Sequence, residues 1–222
     1  MIKVHHLNNS RSQRILWMLE ELRVAYEVVR YERDPKTMLA PAALKAIHPL
    51  GKSPVIEDNG RIVAESGAII DYLGFMYGQG TLWPDIDSPA YRQINYWLHY
   101  AEGSLMPPLL LKLVFDTLPT RPMPFFARPI ARRLCGEVTR QYVGPQIESH
   151  LKFVESQLER REWLVGEHLS AADIQMSFPL EAVMARGTSA EQFPNIAAYV
   201  SRFQKRPAYR RALEVGGPYD YA

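Results

Sequence analysis

The stretch "HPLGKSPVIEDNGRIVAES", residues 48–66, decides the architecture of this chain. Residues 53–57 and 61–64 are two brief strand-like runs on either side of "DNG", and Asn-Gly between such runs is a strong hairpin signal. One position resists. Pro54 falls where a paired strand wants an N–H, and proline has none. Either the run is an edge strand, or something other than a neighbouring strand uses the backbone just before Pro54.

Working outward, residues 2–6 read as a strand and residues 14–23 as a helix with Ile15, Leu19 and Leu22 on one face. Residues 26–31 read as a second strand. Two strands flanking one helix with short connections form a right-handed βαβ unit with parallel strands. A polar, proline-containing segment and a short helix over 41–47 lead to the hairpin. Residues 66–77 then place Ile69, Ile70 and Leu73 at helical spacing, with Ser66 as N-cap. The order is βαβαββα, an α/β unit.

Beyond "GQGTLWPDIDSPA", residues 78–90, no period-two alternation recurs and the segments are helical. The chain therefore divides into an α/β domain over 1–79, a linker over 80–88 and an all-α domain over 89–222. Residues 91–105 form its first helix, which Pro107 and Pro108 kink or end, and "LPTRPMP" forms a loop. Residues 145–159 carry the stripe Ile147, Leu151, Val154 and Leu158. In "LSAADIQM", Ser170 is an N-cap and Asp173 stands three residues on, the Asp variant of a capping box, with Leu169 and Ile174 spaced as a hydrophobic staple. Both polar residues read as a structural cap.

Composition narrows function. In 222 residues, 47% hydrophobic and 23% charged, the net charge is only +2, which argues against a nucleic-acid binder relying on phosphate neutralisation. The N-terminal "MIKVHHLNNS" lacks a basic region followed by an apolar core, and the longest apolar run is far too short to span a bilayer. A cytoplasmic protein without membrane attachment is expected. The single cysteine, Cys135, excludes an intrachain disulfide and a CxxC pair. His5 and His6 are adjacent on a strand and point to opposite faces, so no metal is expected. Arg128, Arg132 and Arg133 read as a solvated helix face.

Four motifs in order carry a resemblance. "HHLNNSRSQRILWMLEEL", "HPLGKSPVIED", "AESGAIIDYL" and "LSAADI" resemble the first strand with its active-site loop and helix, the glutathione loop, the γ-glutamyl turn and the C-terminal capping box of the cytosolic glutathione transferases, of serine type and bacterial or fungal kind. The resemblance implies a thioredoxin-like domain followed by an all-α domain, a homodimer, and glutathione as co-substrate with no tightly bound cofactor. It also answers the question of Pro54: in the family this proline follows a cis peptide, and the residue before it, here Ser53, offers its backbone to the tripeptide as an added strand.

By the same resemblance Lys52 meets the glycine carboxylate, Glu65 the γ-glutamyl ammonium, and Ser66 with the first N–H groups of its helix the γ-glutamyl carboxylate. The hydroxyl that hydrogen-bonds the sulfur is Ser10, four residues before Arg14, with Ser12 its rival and Arg11 adding positive potential. Leu105, Met106 and Leu109 form the hydrophobic wall, and Glu102 reaches the γ-glutamyl amine of a neighbouring subunit. The loop has neither cysteine nor tyrosine. The expected activity is conjugation of glutathione to an apolar electrophile; the alternatives are peroxidase action on organic hydroperoxides and non-catalytic glutathione binding.

Overall fold

The computed structural model describes residues 1–37, 39–187 and 190–222. Almost every side chain of β1 (Ile2–Leu7) is buried, as a central strand requires. It pairs in parallel with β2 (Tyr26–Tyr31) and antiparallel with β3 (Val55–Asp58), which pairs with β4 (Arg61–Ala64). The sheet order is β2-β1-β3-β4. Asn59 and Gly60 have φ of 49° and 78°, so the hairpin turn takes the two left-handed conformations that an Asn-Gly pair supplies.

Strand β3 begins two residues later than the sequence suggests. The Ser53-Pro54 peptide is cis, and Ser53 lies outside the ladder. Helix α1 (Gln13–Leu22) is buried on all sides from Gln13 to Leu19 and ends on Arg23, whose φ is 55°. Its depth follows from its position, packed against α8 (Ala171–Ala185) and α10 (Pro207–Gly216) as well as β1. After α2 (Ala43–Ile47) and the hairpin, α3 (Ser66–Tyr77) completes the α/β part.

The helical part corrects one expectation. Pro107 and Pro108 do not end the first helix: α4 (Pro89–Tyr100) runs through a π-turn, Ala101–Leu105, into α5 (Met106–Thr117). The wide turn is closed by the Met106 N–H on the Ala101 carbonyl. Both prolines then occupy the first turn of α5, where a missing N–H costs little. The arrangement repeats where α6 (Ala127–Val138) passes through Thr139–Val143 into α7 (Gly144–Leu158), whose first turn holds Pro145. Helices α9 (Pro194–Gln204) and α10 follow α8.

The segment between the two parts is docked rather than loose. Leu82 and Trp83 are buried, and the Leu82 carbonyl accepts the Ala171 N–H at 3.1 Å. A Cβ on Gly74 would stand 2.3 Å from the Trp83 ring, so only glycine lets the indole approach α3 so closely. One hydrophobic cluster then runs from Ile2 and Trp17 through Trp97 and Leu151 to Phe203 and Ala212. Among the described residues no helix is long and apolar enough to cross a membrane.

Asp173 opens α8 and is fully buried. Its carboxylate accepts the Ser170 N–H and hydroxyl at 2.8 Å each, the Leu164 N–H at 2.9 Å and the Tyr199 hydroxyl at 2.8 Å. Burial raises its pKa in spite of these donors. An Asp173→Ala protein, with those donors stranded in the core, is expected to lose at least about 3 kcal/mol of unfolding free energy in urea titrations, and Asp173→Asn less. An unchanged midpoint for Asp173→Ala would contradict the structural role.

Candidate active site

The turn from β1 into α1 bends through Asn9, a non-glycine residue at φ 48°. Just beyond it Ser10 is 4% exposed and Ser12 fully buried. Their hydroxyl oxygens are 2.7 Å apart, and the Ser12 N–H donates to the Ser10 Oγ at 3.2 Å. Ser12 Oγ is also 2.9 Å from His6 Nδ1, and it sits 3.3 Å from both the carbonyl and the N–H of Leu7.

Burial and the charge of Arg30 push the His6 pKa down to about 4, against a backbone hydrogen bond to Gly216 that favours the ring N–H. His6 is therefore neutral at pH 7. With its proton facing Gly216, Nδ1 is left as an acceptor and Ser12 donates to it. The bonding capacity of Ser12 is thus consumed inside the protein. Since the Ser12 proton is then on His6, the 2.7 Å contact uses the Ser10 O–H, which a rotation about one torsion can carry to another acceptor.

A second network fans out from the same loop. The fully buried Arg14 places Nη1 2.5 Å from Glu102 Oε1 and 3.0 Å from the Ser66 hydroxyl. Arg11 donates from Nε to the other Glu102 oxygen at 2.9 Å. Burial opposes the Glu102 charge, but the two guanidiniums outweigh it and hold the carboxyl below its usual range. Glu102 is carried inward by the π-turn, a frequent device at functional positions. The expectation aimed Glu102 at a neighbouring subunit; the structure engages it with two arginines of its own chain. Nε and Nη2 of Arg14 have no hydrogen-bond partner among the described residues.

The hairpin approaches the loop from the other side. The Ser53 hydroxyl donates to the His5 carbonyl at 2.8 Å and accepts the Leu7 N–H at 3.2 Å. Neither its backbone N–H nor its backbone C=O is paired among the described residues. Pro54 is buried, and the Lys52 and Glu65 side chains are exposed. Glu65 has φ 73° and ψ 124°, a conformation rarely adopted by a side-chain-bearing residue and characteristic of functional sites. Ser66 follows it at the buried start of α3. His5 is occupied by Glu57 at 2.7 Å and Tyr31 at 2.9 Å.

The hydrophobic wall was expected at Leu105, Met106 and Leu109. Leu105 is fully buried and Met106 nearly so, both packed inward where the π-turn meets α8, and Leu109 is partly buried against the core. The aromatic residues beside the loop are ones that the sequence reading passed over, and the first of them is itself only 7% exposed. Phe178 on α8 lies 5.3 Å from both the Arg11 and Arg14 guanidiniums. Tyr221 meets it edge-on at 5.5 Å. The "GGP" after α10 is the signal that the helix stops there and the chain turns back. A Cβ on Gly216 would lie 2.6 Å from Gln13 Oε1, and Gly217 has φ 83°. Beneath this surface Glu181 is buried, accepting from Gln204 at 3.1 Å, from Tyr219 at 2.9 Å and from Tyr209.

Comparison with known proteins gives a consistent result. Residues 10–74 match the family model of the glutathione S-transferase N-terminal domain, and residues 135–207 that of the C-terminal domain. The chain is 36% identical to glutathione S-transferase 1 of Saccharomyces cerevisiae, over 96% of this chain and 94% of that one. It is 37% identical to glutathione S-transferase 3 of Schizosaccharomyces pombe, over 96% and 87%. A crystal structure of a glutathione S-transferase from Actinobacillus pleuropneumoniae superposes with a TM-score of 0.81 at 34% identity, covering 100% of this chain and 95% of that one.

Two buried groups oppose each other in pH. Burial pushes the Glu181 carboxyl up from 4.5 to about 7, against hydrogen bonds from Tyr209, Gln204 and Tyr219 and the Arg14 charge. Between those values the folded chain holds a proton that the unfolded chain has lost, so stability falls as pH rises. For His6, between about 4 and 6.5, the unfolded chain holds the extra proton, so stability rises with pH. Glu181→Gln removes the first effect. Its stability should climb more steeply than that of the unmodified protein from pH 4.5 to 6.5, the two curves diverging by about 3 kcal/mol by pH 7.5. Parallel curves in urea titrations would refute the Glu181 shift.

Proposed function

Since this chain belongs to the glutathione S-transferase family, we propose that it holds the glutathione thiol as a thiolate against the Ser10 hydroxyl and delivers it to an apolar electrophile lodged beside the helical part. The observation that carries this reading is the asymmetry of the two serines. Ser12 is fully buried with His6 and Leu7 as partners, whereas the Ser10 hydroxyl is bonded, among the described residues, only to Ser12. Ser10 turns its proton from Ser12 to the sulfur, and the Ser12 N–H stays on its oxygen. Arg11, whose charge Glu102 largely balances, adds a weaker positive potential.

Glutathione is bound from both sides of the loop. The unpaired Ser53 backbone before Pro54 pairs with the peptide as a short added strand. Lys52, exposed, meets the glycine carboxylate as a point charge. The start of α3 and the Ser66 hydroxyl receive the γ-glutamyl carboxylate, with the free N–H groups of Arg14 reinforcing the positive end of the helix. Glu65 supplies the counter-charge for the ammonium. Large apolar side chains exposed on β4, α3 and α4, among them Ile62, Phe75, Met76 and Tyr96, support assembly as a homodimer.

The thiolate ultraviolet absorbance of bound glutathione, titrated against pH with S-methylglutathione as blank, tests the centre of this proposal. A free thiol ionises near pH 8.5 and the bound one should ionise well below that. Removing one hydrogen bond to an anion, in Ser10→Ala, should raise the bound thiol's pKa by about one to two units. Ser12→Ala should chiefly cost stability, because it strands His6 Nδ1. A thiol shift in Ser12→Ala and none in Ser10→Ala would transfer the role to Ser12.

A further inference from the structure

Helix α6 and the loop that leads into it stand apart from the rest of the chain. The helix packs chiefly against α5 and the turns at its own two ends, and Cys135 is its one buried residue among those described. Phe125 and Phe126, at the end of the loop, are 88% and 65% exposed. From Phe126 the apolar side chains continue at every fourth residue through Ile130 and Leu134, a spacing that keeps them on one flank of a helix. Both are about as exposed as Phe126. Leu110, Val114 and Leu118 are likewise uncovered on and just beyond the adjoining α5. An uncovered apolar surface on this scale marks an interaction site.

The charge around this row narrows what can cover it. Residues 118–136 hold Arg121, Arg128, Arg132 and Arg133 and no acid, although the whole chain carries an excess of only +2. All four arginines are exposed, and none is in an ion pair with a described residue. The nearest acids in sequence, Asp116 and Glu137, are already paired with Lys112 and Arg140. By sequence alone the arginines read as a solvated face; in the structure they accompany exposed rings. A second copy of the chain does not answer them, because a two-fold contact on this face sets the same basic segment against itself. An acidic polymer would satisfy the charges and leave the row of Phe, Ile and Leu in water. We propose that residues 125–134 dock on an anionic lipid surface, with Phe125, Phe126, Ile130 and Leu134 entering the boundary between headgroups and acyl chains and the arginines meeting the lipid headgroup anions. Arginine suits such a place, since its aliphatic stem lies along apolar surface while its head stays in the polar layer. Docking of this kind needs no spanning helix, and it stands or falls independently of the glutathione reading.

The test is cosedimentation of the full chain with sucrose-loaded vesicles of phosphatidylcholine, either alone or mixed with phosphatidylserine. The unmodified protein should pellet with the mixed vesicles and not with the neutral ones, and added salt should weaken the binding by screening. Each arginine near an anionic surface contributes about fivefold in partition. The triple variant Arg128→Gln, Arg132→Gln, Arg133→Gln should therefore lower the partition coefficient by about a hundredfold, and the double variant Phe125→Ser, Phe126→Ser by about tenfold or more. Both variants change exposed side chains only, so their urea midpoints should match that of the unmodified protein. Absence of pelleting with the mixed vesicles, equal pelleting with both kinds of vesicle, or unchanged partition in either variant would overturn the proposal. A lower sedimentation coefficient of the phenylalanine variant without lipid would overturn it too, by giving this face to a second copy.

Discussion

The arrangement turns on one guanidinium. Arg14 is wholly enclosed, and desolvating such a group costs several kcal/mol unless anions and dipoles surround it. Here Glu102 reaches it from the helical part, Ser66 from the start of α3, and Phe178 lies across its face from α8. Four elements distant in sequence are thereby brought to one point, and that point lies at the foot of the loop carrying Ser10 and Ser12. The π-turn makes sense in this light. It widens the helix at the residue that reaches the guanidinium.

Around this pair the site divides into a dry side and a wet side. Ser12, His6 and Glu181 lie in the interior, and burial sets the protonation states of His6 and Glu181. Lys52 and Glu65 are at the surface, where charges are held by water and act on what arrives from solution. Ser10 lies on the boundary. A hydroxyl there stabilises an anion more than it would in open water, since the low-dielectric side strengthens its hydrogen bond while the open side admits the ligand.

Much of this was legible before any coordinates, and the reasons for the remainder are physical. The βαβ unit, the Asn-Gly hairpin and the Asp173 cap are signalled locally, by periodicity and by turn and cap chemistry within a few residues. The hydroxyls of the loop were also visible, but which of them is sealed depends on His6 lying across the strand, a contact that spacing does not reveal. Leu105 read as a wall by resemblance to the family, since its helical spacing marks an apolar face without saying what covers it. Pro107 and Pro108 read as a kink or an end because a π-turn has no signature beyond the prolines it accommodates. The last residues of the chain escaped because Asn9, the partner of Asp220, lies at the opposite end of the sequence.

Ser53 carries a lesson of a different kind. Its hydroxyl stitches β1 together at His5 and Leu7 where the ladder stops, and in the proposed reading its main chain alone faces the ligand. Recognition by the main chain is indifferent to what the residue is, so the side chain is released for architecture. Two selective pressures that usually compete for one residue fall here on different atoms of it. A valine at this position would present the same amide and carbonyl to a peptide, yet it would leave the end of β1 unfastened. Exchange at this site is therefore governed by the neighbours of the strand rather than by the molecule it serves.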